Sequence, residues 1–147
     1  MCLTEMARPC QNPLTKEWWD GNIGTWFFVE KIVAKRSSKH RPKGTMESKP
    51  VKVDKLLFIQ KCIDDLLPAI KAKWPTWAPK CIRIQQDNAT PHPKPGMSAA
   101  LNVKLQDMAT RGWDMAFVCQ PLNSPDLNMD VSKYSEVSYY LEINKRR

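Results

Sequence analysis

Two aspartates stand where carboxylate chemistry is possible. In "IRIQQDNATPHP", residues 82–93, a short alternating run ends directly on Asp87 and Asn88, and His92 follows between Pro91 and Pro93. Further on, "QPLNSPDLNMD" spends a series of turn formers before delivering a second acid, Asp130. Carboxylates that converge on a basic surface suit Mg²⁺ or Mn²⁺, which take hard oxygen ligands and let phosphate complete the shell. A blander reading stands beside this one, because an Asp after a strand also serves as a turn or cap residue. The chain has two histidines, His40 and His92, so any metal must rest mainly on carboxylates. Cys2, Cys10, Cys62, Cys81 and Cys119 form no Cys-x-x-Cys and are odd in number, which argues for a reducing compartment and against a zinc knuckle or disulfide framework.

The elements that must position these acids read as α/β. Residues 23–33, "IGTWFFVEKIV", are β-branched and aromatic and predict a strand, with Asp20-Gly21 as the turn before it. From Asp54, an N-cap, apolar positions Leu56, Ile59, Ile63, Leu66 and Ile70 step by three or four and predict a helix kinked or restarted at Pro68. "CIRIQQ", 81–86, alternates as a short strand. "MSAALNVKLQDMATRG", 97–112, sets Met97, Leu101, Leu105 and Met108 on one helical face and closes at Arg111-Gly112. "DMAFVC", 114–119, is a second buried strand. In the tail after Asp130, Val131, Tyr134, Val137 and Leu141 follow helical spacing, so the second acid is expected at a helix start. A strand, helix, strand order predicts that 81–86 and 114–119 are parallel neighbours, with sites beyond their carboxyl ends. Asp87 and Asp130 would then meet at one edge of the sheet.

The chain has 147 residues, one domain by length, and carries 23 Lys and Arg against 15 Asp and Glu, a formal charge of +8. That excess favours polyanionic partners. Lys35, Arg36, Lys39, Arg41 and Lys43 crowd into 35–45, where Pro42 and Gly44 disfavour regular structure; they could grip DNA phosphates or form a solvated loop. Trp18, Trp19, Trp26, Trp74, Trp77 and Trp113 could stack bases, though packing is the commoner use. His92 could contact phosphate or a metal-bound water, or simply belong to its loop. No run of 18 apolar residues occurs, so no segment is expected to span a bilayer, and the N-terminus does not read as a secretory signal.

"IQQDNATPHP" followed by "CQPLNSPDLN" resembles the mariner-like transposases of the Tc/mariner superfamily, in the branch with three catalytic aspartates. "WWDGNIGTWFFVEKIVAKRSSKHRPKGT" is similar to that family's Asp-Gly-Lys-Ile-Gly region with its basic segment, and "LLPAIKAKWP" to the helix before the Gln-Gln-Asp-Asn strand. The resemblance runs from about Leu3 to about Leu141 and implies a ribonuclease H-like mixed sheet with flanking helices. It also implies DNA cleavage and strand transfer by three acids and two divalent ions, Mg²⁺ or Mn²⁺. Asp87 matches the second acid, and Asp130 is nearest to the third. One residue, Met129, separates Asp130 from Asn128 where the family has two, a shift of about 100° on a helix.

The family's first acid lies on a central strand upstream of the segment matched by "LTEMARP", and Asp20 matches a loop Asp instead. The resemblance therefore implies a partial catalytic domain over 1–147, N-terminally truncated, lacking its central first strand and inactive alone. DNA is the expected partner and the nucleus the expected location; a homo-oligomer is left open, with neither membrane nor small-molecule substrate expected. The alternatives are a domesticated DNA-binding protein without chemistry and a decayed reading frame.

Overall fold

The computed structural model describes residues 2–121 and the backbone of residues 138–143. The described chain is mixed α/β. Its main sheet has five strands: β1 (Cys2–Ala7), β4 (Asn22–Phe27), β7 (Cys81–Gln86), β8 (Asp114–Cys119) and β9 (Ser138–Ile143), in the order β4-β1-β9-β7-β8. Two small antiparallel ribbons stand apart from it, β2 (Cys10–Gln11) with β3 (Trp18–Trp19), and β5 (Val29–Val33) with β6 (Met46–Pro50).

Strands β7 and β8 pair in parallel, Ile82 opposite Met115 and Gln86 opposite Cys119, as the strand, helix, strand order predicts. Every second residue of β1 and β7 is buried, and Leu3, Ile82 and Ile84 are fully so. That face packs on a helical segment which begins at Asp54, whose carboxylate accepts from Leu57 N at 2.8 Å. The segment runs as α1 (Lys55–Lys61), a π-helical turn over Cys62–Leu66, and α2 (Leu67–Lys73). Pro68 explains the π turn: it has no N–H for a carbonyl one turn back, and its ring crowds that carbonyl, so the ladder widens just before it. Leu66, Leu67 and Ile70 bury completely, each worth roughly 1.5–3 kcal/mol. The third helix, α3 (Ala99–Thr110), starts on a Ser98 cap and buries Leu101 and Met108, but Met97 lies before its first turn and stays exposed.

Two expectations need revision. The strand read over 23–33 is two strands, because β4 pairs with β1 as far as Phe27 while β5 departs to pair with β6, leaving buried Phe28 between them. The helix read into the tail does not hold at its end: Ser138–Ile143 is a strand, and Leu141 pairs with Ala7 on one side and Ile84 on the other. "SYYLEI" is rich in residues that suit a pleated surface, and two open strand edges outweigh a coincidental helical spacing. Val131, Tyr134 and Val137 lie outside the described residues. The middle position of the sheet is taken by β9, from late in the chain, parallel to β1 and antiparallel to β7; it is not the first strand whose absence the resemblance implies.

The turn at Asp20-Gly21 is present. Asp20 Oδ1 accepts from Asn22 N at 2.9 Å, and Gly21 has φ +78° with its would-be Cβ position 1.9 Å from the Ala7 carbonyl oxygen, so no larger residue fits.

Candidate active site

Asp87 is the first residue beyond β7, at the carboxyl end of a strand whose parallel neighbour ends alongside it. The pairing runs one step further, with Gln120 N donating to Gln86 O at 2.8 Å. The Asn88 side-chain amide then donates to Gln120 O at 3.0 Å, tying the loops after the two strands together.

The Asp87 side chain is held at one oxygen. Ala89 N donates to Oδ1 at 2.9 Å, a turn that mimics a backbone hydrogen bond, and His92 Nδ1 lies 2.5 Å from the same atom. No described residue donates to Oδ2, and the side chain is about one-third exposed, at 34 %. His92 is more than a loop residue: its ring is 1 % exposed and packs on Phe58, with centroids 4.6 Å apart. The loop is closed from beneath by the Gln86 amide, which donates to Pro93 O at 2.5 Å, and by His92 N donating to Ala89 O at 3.0 Å. Sequence reasoning undervalued His92 because prolines on either side suggest exposure. The available signal was its spacing from an acid at a strand end.

Asp130, the second expected acid and metal ligand, lies outside the described residues. Among the described residues, no three His, Cys, Asp or Glu side chains gather in a group able to hold a metal ion. Asp20 does not reach the site. It precedes β4, three strands across the sheet from β7, roughly 14 Å at ordinary strand spacing, and it stands by Ala7, at the opposite end of the sheet from Asp87. Asp87 nonetheless suits a hard cation, since Mg²⁺ commonly uses one or two carboxylates and fills its shell with water and phosphate.

The five basic residues of 35–45 form the tip of the β5–β6 hairpin, closed by paired hydrogen bonds between Ser38 and Arg41. Lys35, Arg36, Lys39 and Lys43 are exposed. Arg41 is different: it is half-buried and its guanidinium pairs with Glu47 on β6, which makes it part of the hairpin's closure. Of the tryptophans, Trp74 and Trp113 are buried and Trp19 meets Trp74 edge to face, whereas Trp18 is 72 % exposed.

Comparison with protein-family models, with curated proteins and with solved structures finds no match for this chain.

Proposed function

We propose that this chain is part of the catalytic core of a mariner-like DNA transposase, with a ribonuclease H-like arrangement and metal-dependent phosphoryl transfer as its ancestral chemistry. One observation carries the reading: an aspartate at the carboxyl end of a strand in a parallel pair, anchored through one oxygen, with no described residue donating to the other. Such a carboxylate is a ligand for Mg²⁺ or Mn²⁺, and the ion would stabilise the charge on the attacking and leaving oxygens of a phosphodiester. In this reading Asp130 is the second ligand, and the exposed cations of the hairpin tip hold DNA through its phosphates.

The 147-residue chain alone is expected to be inactive. No acid here matches the family's first, and a pair of ions left without it lacks a bridging negative charge. The test is nicking of supercoiled DNA with Mn²⁺. The chain alone should leave the DNA intact, the chain extended upstream by an Asp-bearing strand should nick it, and Asp87→Asn should abolish that activity. Nicking by the extended chain that survives Asp87→Asn would overturn the reading. A second reading, a DNA-binding protein without chemistry, draws on the same hairpin cations; it requires DNA binding that persists in Asp87→Asn with no metal-dependent cleavage by either form.

A further inference from the structure

We propose that His92 is a positioning residue that fixes the Asp87 carboxylate, and that it does so by donating a hydrogen bond from a protonated Nδ1. The first part rests on Asp87 acting as a metal ligand; the proton on Nδ1 does not. Nδ1 faces two acceptors, Asp87 Oδ1 at 2.5 Å and the Asp87 carbonyl oxygen at 3.3 Å. A bare lone pair at Nδ1 would repel both, so Nδ1 donates. The ring cannot swing away, because it is 1 % exposed and lies against Phe58.

The consequence is a division of labour between the two carboxylate oxygens. Oδ1 is committed to Ala89 N and His92 Nδ1, which fixes the carboxylate plane; no described residue donates to Oδ2, which is left for a cation. Outer contacts of this kind orient a ligand before the metal arrives, and losing one typically weakens metal affinity by about 10- to 100-fold. His92 touches neither metal nor DNA in this account and acts only through Asp87.

The experiment uses the full chain and two readouts. ¹⁵N spectra of the His92 ring should show a protonated, pyrrole-type Nδ1. Mn²⁺ affinity should fall about 10- to 100-fold in His92→Phe, which keeps an aromatic ring on Phe58 but removes the donor. His92→Asn, whose amide nitrogen can stand in for Nδ1, should recover most of the loss. A pyridine-type Nδ1, or a His92→Phe chain that binds Mn²⁺ as the wild type does, would overturn the proposal. A wild-type chain that binds no Mn²⁺ would overturn the metal reading of Asp87 and the affinity part of the proposal, leaving the Nδ1 donor to be decided by the ¹⁵N spectra.

Discussion

Glu5 is the residue whose environment most contradicts its chemistry. It lies in β1 on the buried face beside Leu3 and Ala7, is fully buried, and neither carboxylate oxygen has a hydrogen-bond partner among the described residues. Burial pushes its carboxyl well above the usual range, and burial together with Glu5 pushes the neighbouring Cys62 thiol up. The folded chain therefore keeps the Glu5 proton at pH values where the unfolded chain, with an ordinary value near about 4.3, has released it. This group's contribution to stability is full below that unfolded value and declines as pH rises through the raised folded one. Replacing Glu5→Met should remove that decline and raise stability near neutral pH by roughly 1–3 kcal/mol, the usual cost of an unsatisfied buried polar group. Urea denaturation of both chains at acidic and neutral pH checks it; a Glu5→Met chain less stable than the wild type at neutral pH would mean that Glu5 has an unrecognised partner. The same residue explains why β1 was hard to read, since a carboxylate in the core-facing series Leu3, Glu5, Ala7 erases the alternation that marks a half-buried strand.

At the scale of elements, what was legible had uninterrupted periodicity or a specific stop signal. β7 and β8 follow from short apolar runs bounded by turn formers, α1 from its cap at Asp54, and α3 from its apolar face and its Arg111-Gly112 stop. Replacing Ser98 with Ala should cost about 1 kcal/mol in thermal or chemical unfolding, because its hydroxyl satisfies Leu101 N at the buried start of α3. What was not legible depends on distant pairing. β6, "MESKP", has little strand preference and is held in place by the register of its hairpin with β5. β9 is a strand because β1 and β7 both offer it open edges. Without it the sheet would divide into a β4-β1 pair and a β7-β8 pair. Leu141→Pro should therefore destabilise the fold by roughly 2 kcal/mol or more, since a proline within a central strand removes a ladder hydrogen bond and leaves its acceptor unpaired. Unchanged unfolding in that variant would show that β9 does not join the sheet in solution.

For the whole molecule, charge and site lead to separable expectations. With Arg41 paired to Glu47, four exposed cations remain at the hairpin tip, and neutralising four phosphates gives a slope of roughly −3.6 for log K against log salt. Fluorescence anisotropy with duplex DNA should show that slope without sequence preference, and neutralising Lys35, Arg36, Lys39 and Lys43 together should flatten it; salt-independent binding would count against the hairpin as a DNA contact. The site was half legible in the sequence. Asp87 could be placed from the alternation that precedes it, but the anchoring of its Oδ1 by His92 arises from a loop folded back under Phe58, a geometry with no local periodic signature. The central claim is that Asp87 is built to hold a divalent cation. Its most direct test is paramagnetic broadening of backbone amide signals on adding Mn²⁺ to the ¹⁵N-labelled full chain. The account expects broadening centred on Asp87 and Asn88 and reaching Gln120 across the paired loops, all of it lost in Asp87→Asn. Broadening that is absent, centred elsewhere, or unchanged in Asp87→Asn would contradict it.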